Sequence, residues 1–258
     1  SFPFTQIFEA SLIRILVHQL EIMSYWVSTL LLVLAIYIAI SIALYYLQDY
    51  VIFKPEKLSK DFQFDYKNQE TKEYNLETRD GAIINGLRFF PKGESKGVVL
   101  YLKGNSKSIK GWGKFAVDFT RHGYNVLMVD YRGFGKSTGK RSQKAIKRDL
   151  QLVYNKLKEQ TTEDRIILYG RSLGSGFATK LASLNNPKML VLDAPYYSLT
   201  RVTARYMPFM PLSLLFNIHF YTLQMPLTDL LCYFMSKAIN LGNKKNSRLN
   251  QPAELKVI

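Results

Sequence analysis

Gly170-Arg171-Ser172-Leu173-Gly174 is the stretch of this chain whose residue types and spacing suit chemistry. A Gly-x-Ser-x-Gly run becomes a reactive-serine turn when a strand precedes it and a helix follows, because the sharp turn then lifts the hydroxyl clear of the sheet. Both flanks are readable: Arg165-Ile-Ile-Leu-Tyr169 is an apolar strand pattern, and residues 172–184 carry a helical one. That helix would aim its positive end at the serine. A serine attacking a carbonyl needs two preorganised donors for the oxyanion that forms. The N–H of Leu173 is one candidate. The other is the N–H of Asn105 in the loop Lys103-Gly104-Asn105-Ser106, which leaves the apolar run Gly97-Val-Val-Leu-Tyr-Leu102.

A second glycine-rich turn, Gly133-Phe-Gly-Lys-Ser-Thr-Gly139, imitates the end of a phosphate-binding loop at Gly135-Lys136-Ser137. Such a loop requires a glycine five residues before its Gly-Lys-Ser end. Asp130 stands there, and its carboxylate would repel phosphates, so nucleotide binding is set aside.

A serine hydroxyl is a weak nucleophile without a general base. Beyond Ser172 the sequence holds one histidine, His219, and the acids Asp193, Asp229 and Glu254. Ser172–His219–Asp193 is the triad these residues allow. The competing reading of His219 is a packed side chain, since it lies in the apolar run Leu214-Leu-Phe-Asn-Ile-His-Phe-Tyr221. No cofactor is expected. The single Cys232 and the three histidines (His18, His122, His219) argue against a metal centre.

The elements that must position these residues alternate. Residues 73–78 and 82–90 read as strands joined at Asp80-Gly81, a tight-turn pair. Strands follow at 97–102, 124–130, 165–169 and 188–192. Between them, helices are expected at 112–122, stopped by Gly123, at 142–158, with Ile146, Leu150, Val153 and Leu157 on one face, and at 172–184. Short strands alternating with helices make parallel βαβ units, hence an α/β domain.

Before this domain, residues 23–48 contain no charged side chain, and Trp26, Tyr45 and Tyr46 mark the ends of the apolar run. A run of that length crosses a hydrocarbon core of about 30 Å, with aromatic residues at its interfaces. Residues 1–22 are taken as an N-terminal extension and 23–48 as a transmembrane anchor. Lys54, Lys57 and Lys60 follow the span and only Arg14 lies in the extension ahead of it. The positive-inside rule then puts the domain in the cytoplasm of a single-pass membrane protein.

The net charge is +15, and residues 103–158 hold 14 of the Lys and Arg side chains against 3 acids. That segment is expected to form a basic face turned toward an anionic lipid surface, where each cation is worth about 1 kcal/mol; the alternative is an ordinary solvated face. It contains no nucleic-acid motif, and no nucleic-acid partner is expected.

The order strand, Lys-Gly-Asn, helix, strand, Asp130-Tyr-Arg-Gly-Phe-Gly135, helix, strand, Gly-Arg-Ser-Leu-Gly, helix, strand, Asp193-Ala-Pro195 resembles the alpha/beta-hydrolase superfamily, most closely its small membrane-anchored serine hydrolases. The resemblance implies a mostly parallel sheet with flanking helices over residues 49–216. It further implies acyl transfer through Ser172, an oxyanion hole from Asn105 and Leu173, a structural loop at Arg132 and Gly133, and an acyl-type small-molecule or lipid substrate. Many relatives have His-Gly where this chain has Lys103-Gly104. Members also place an acid and a late histidine on two further strands. Residues 217–258 do not show that pattern, so they are expected to be a divergent or frame-shifted tail, with the fold incomplete at its C-terminal end. The alternative reading is a catalytically inactive hydrolase-like protein that serves as a binding or scaffold module.

Overall fold

The computed structural model describes residues 3–67, 69–195 and 255–257, with side chains at 13–47, 53–67 and 69–195. The first element is a helix, α1, over Pro3–Ile52. It begins well before the anchor expected at 23–48 and takes in most of the stretch read as an extension. Its segment Ile13–Leu47 is long and apolar enough to cross a membrane, and it lies exposed along its length. A helix apolar all round belongs in a protein core or a membrane span, and among the described residues this one is not in the core.

Seven strands follow: β1 Thr71–Glu77, β2 Ile83–Phe89, β3 Val98–Leu102, β4 Asn125–Val129, β5 Ile166–Arg171, β6 Met189–Asp193 and β7 Leu255–Val257. They form one sheet in the order β1-β2-β4-β3-β5-β6-β7. β1 and β2 are antiparallel to each other, and β2 is antiparallel to β4. The remaining pairs are parallel. Each expected strand is present within two residues of its expected ends. β7, paired Leu190↔Leu255 against β6, was not foreseen in the tail. His219 and the rest of 196–254 lie outside the described residues.

The parallel strands read as continuous apolar runs because both of their faces are covered. β3 and β4 are buried at every position. One face packs on α4 (Gln143–Lys158) and α5 (Leu173–Leu184), through Ile146, Leu150, Val153, Phe177 and Leu181. Ser142 caps α4 by accepting from the Ala145 N–H at 3.2 Å. The other face packs on Phe64, Tyr66, Trp112, Phe115 and Phe119.

The helix expected over 112–122 is instead three short pieces: α2 Ile109–Trp112, a 3-10 turn Gly113–Ala116 and α3 Val117–Thr120. Gly111 and Gly113 weaken any regular helix here. Tyr66, from before β1, settles the matter by donating its hydroxyl to the Ile109 carbonyl at 2.7 Å and laying its ring against Gly113.

The 14 basic side chains of 103–158 do not make one face. Lys103 and Arg132 are buried, and Lys136 pairs with Glu73 at 2.9 Å with its side chain mostly covered. Lys110 and Lys114 sit with the short helices on one side of the sheet, whereas Lys144 and Arg148 belong to α4 on the other. The sheet separates cations that are neighbours in sequence.

Candidate active site

β3 connects to β4 on one side and β5 lies on its other side, so the strand order reverses between β3 and β5. Open α/β sheets form their crevices outside the carboxyl ends of the strands at such a switch point. The two candidate loops meet there. Ser172 follows β5, is exposed, and adopts φ 51° and ψ −119°. A non-glycine residue at positive φ is strained, and it persists only where its surroundings over-determine it. Here the Ser172 N–H donates to the Asp193 carbonyl at 2.9 Å, and the Ser172 carbonyl accepts from the Ser175 N–H at 2.9 Å.

Two glycines allow the loops to close. A Cβ at Gly174 would run into the Leu102 carbonyl oxygen and come 2.7 Å from that of Lys103, both backbone atoms that cannot swing away. A Cβ at Gly104 would press on the Trp112 ring at 3.2 Å and lie 3.8 Å from the Ser172 Cβ. The Asn105 loop and Ser172 are therefore neighbours, as the sequence reading required, and Leu173 opens α5 directly after the serine.

The loop between β3 and α2 is held from several sides. The Tyr131 hydroxyl donates to the Lys103 carbonyl at 2.7 Å, and Trp112 Nε1–H donates to the Ser106 carbonyl at 2.8 Å. Lys103 Nζ donates to the Lys107 carbonyl at 3.0 Å, stands 3.4 Å from Asp130 Oδ1, and lies 3.8 Å from the Phe134 ring centre. Asp130 also accepts from the Ile109 N–H at 3.1 Å. Lys103 is thus an internal strut between this loop, Asp130 and Phe134.

Burial pushes the Lys103 ammonium down to about 8, against the attraction of Asp130, and pushes the Asp130 carboxyl up to about 6. The unfolded lysine holds its proton to about pH 10.4. Between pH 8 and 10 the unfolded chain therefore binds more protons than the folded one, and the contribution of Lys103 to stability rises with pH. Lys103→Met is expected to flatten that rise. Urea midpoints of both proteins at pH 7.5 and 9.5 check this; parallel changes in the two would refute it.

Asp193 ends β6 in register with Arg171. Its Oδ2 accepts from the Tyr169 hydroxyl at 2.6 Å and pairs with Arg171 Nε at 3.2 Å. Burial, reinforced by this bond to Asp193, raises the Tyr169 phenol well above its ordinary range. The Asp193 carboxylate is thus engaged by two groups on β5. The side chain of its proposed partner His219 is outside the described residues.

A charged cluster that sequence reasoning did not single out forms around Arg132, after β4. Arg132, read as part of a structural loop, donates through Nε to Asp149 Oδ2 at 2.5 Å and through Nη2 to Oδ1 at 2.8 Å. It also grips Asp80 at 2.7 and 2.8 Å. These two bonds hold the Asp80 carboxyl far below the usual carboxylate range. Asp80 was read only as half of a turn pair, and Asp149 was not singled out.

Comparison with known proteins agrees with this architecture. The family described as serine aminopeptidase, S33, matches residues 93–249, which include much of the stretch expected to be divergent. An uncharacterised protein of Mycobacterium tuberculosis is 35% identical over 149 residues, covering 56% of this chain and 53% of that protein. The lysophosphatidylserine lipase ABHD12 of Gallus gallus is 32% identical over 124 residues, covering 45% of this chain and 32% of the lipase. The Pyrococcus furiosus esterase Pf2001 superposes with a TM-score of 0.50 at 26% identity, over 61% of each chain. The chain spans about half or less of the length of these two curated relatives. The match over more than half of its residues, together with a mixed sheet that reverses at β3 and β5, makes this chain a member of the alpha/beta-hydrolase superfamily, within the family described as serine aminopeptidase, S33.

Proposed function

We propose that this protein is a membrane-anchored serine hydrolase acting on an ester, thioester or amide through an acyl-enzyme on Ser172. The observation that carries the reading is the strained backbone of Ser172, held at φ 51° on an exposed turn beside Gly104. In this mechanism the Ser172 Oγ attacks the acyl carbon while its proton passes to a general base. The N–H groups of Asn105 and Leu173 stabilise the oxyanion. The leaving alcohol, thiol or amine departs with a proton, and water releases the acid from the serine. His219 is the proposed base and Asp193 the acid that orients it. Such a pairing requires Asp193 to share its carboxylate with Tyr169 and Arg171. Residues 23–48 are the proposed anchor, within α1, and 49–216 the hydrolase domain, on the cytoplasmic side.

That the Gallus gallus relative is a lysophosphatidylserine lipase supports a lipid-like acyl substrate, as does an anchor that keeps the site at a bilayer. A second reading, an inactive hydrolase-like scaffold, draws on the engaged carboxylate of Asp193. The two part on one measurement. Full-length protein in detergent micelles is treated with a fluorophosphonate, and the adduct is mapped by mass spectrometry. A modified Ser172 supports the hydrolase. Unmodified protein, or an adduct elsewhere, removes it.

A further inference from the structure

Residues 53–58 join α1 to the domain and lie as an extended strap across the loops at the carboxyl edge of the sheet. Phe53 is buried against Phe134, ring centres 6.2 Å apart and edge to face. The Lys54 N–H donates to the Asn105 carbonyl at 2.9 Å, and the Lys54 carbonyl accepts from the Lys107 N–H at 3.1 Å. The strap then pairs with the next loop: Gly135 N–H donates to the Glu56 carbonyl at 2.7 Å, and Leu58 N–H to the Gly135 carbonyl at 3.0 Å.

The Glu56 side chain turns into the Asn105 loop. Its Oε2 accepts from the Ser108 N–H at 3.1 Å and from the Ser108 hydroxyl at 2.8 Å, and Oε1 stands 3.7 Å from Lys110 Nζ. Ser108 is buried. The next amide, Ile109 N–H, goes to Asp130. Two carboxylates from distant parts of the sequence thus hold consecutive N–H groups where the loop enters α2. Charge-assisted bonds of this kind are about twice as strong as neutral ones. An oxyanion donor works only when held within a few tenths of an ångström of its productive position, and supporting residues supply that hold.

We propose that Glu56 is a positioning residue, which, with the Lys54 backbone, fixes the 103–108 loop and through it the Asn105 N–H. The segment directly after the apolar helix is thereby part of the support of the site. The catalytic half of this inference rests on the Ser172 reading; the hold on the loop does not.

The test uses the full chain in detergent micelles with Glu56→Ala, Glu56→Gln and Ser108→Ala. Hydrogen exchange of the amides at 105–109 reads the hold. The saturating rate and half-saturating concentration of fluorophosphonate labelling read the catalytic consequence. Glu56→Ala is expected to speed exchange and to slow saturated labelling about 10- to 100-fold, leaving half-saturation nearly unchanged. Glu56→Gln keeps one acceptor oxygen and is expected to restore most of both. Ser108→Ala, which removes one of the two bonds, moves both readouts in the same direction by less and serves if Glu56→Ala does not fold. Unchanged exchange in Glu56→Ala and Ser108→Ala overturns the proposal. So does faster exchange with an unchanged labelling rate. Wild-type protein that takes up no probe sinks the hydrolase reading instead, and exchange alone then decides whether Glu56 holds the loop.

Discussion

Ser172→Ala is expected to slow ester hydrolysis at least about 1,000-fold and to abolish fluorophosphonate labelling. The two-step route passes through a bond to Oγ, so removing that oxygen leaves only the oxyanion donors and binding to assist direct attack by water. Alanine carries no bulk that the turn cannot accept, since Ser172 is exposed and its side chain makes no capping bond to α5. The fold should therefore survive, with a thermal midpoint near that of the wild type. Release of nitrophenol from short nitrophenyl esters by both proteins checks the rate, and the melting curve checks the fold. Equal turnover by the two would remove Ser172 from the mechanism and leave any activity to another group.

Arg132→Met is expected to cost about 3–5 kcal/mol of stability, because it strands Asp149. Both side chains are almost fully covered, at 3% and 4% exposure, and the guanidinium meets the carboxylate with two parallel bonds. Removing the cation leaves a buried carboxylate with no water to solvate it. For a domain of this size that is a fall of roughly 6–20 °C in Tm. The double variant Arg132→Met/Asp149→Leu is expected to recover much of the loss, since an apolar pair of similar volume has no desolvation penalty. Thermal unfolding followed by circular dichroism is the measurement. A single variant that loses less than about 1 kcal/mol would mean that Asp149 is solvated or neutral in the folded chain.

The parts of this fold that were legible in the sequence are those that local pattern dictates. β3 and β4 could be read because buried parallel strands must be apolar throughout. The turn at Ser172 was visible because close approach demands its glycines: Gly174 lies against the backbone of Leu102 and Lys103, and Gly170 against Gly174, Ser175 and Ala178. What was hidden depended on contacts between remote segments. Tyr66 breaks the expected 112–122 helix from more than forty positions away. Lys103 looked like one more surface cation until Asp130, Phe134 and Tyr131 enclosed it. Arg132 gathers carboxylates from a hairpin turn and from α4, two places with no sequence link. In the same way, the strap at 53–58 has no motif; its bonds are mostly backbone, and backbone carries no letter code.

α1 ends at Ile52 and Phe53 is already in the core. At about 1.5 Å per residue α1 is about 75 Å long, more than twice the depth of a hydrocarbon layer. With residues 23–48 in a bilayer, as proposed, only the helical residues 49–52 separate the anchor from the domain, and the crevice stays close to the bilayer. If the substrate is the lipid-like amphiphile proposed above, protein and substrate diffuse in one plane, and their encounter is a two-dimensional search. The relevant concentration is the mole fraction of substrate among the lipids, so inert lipid acts as a diluent even when the amount of substrate per volume is constant.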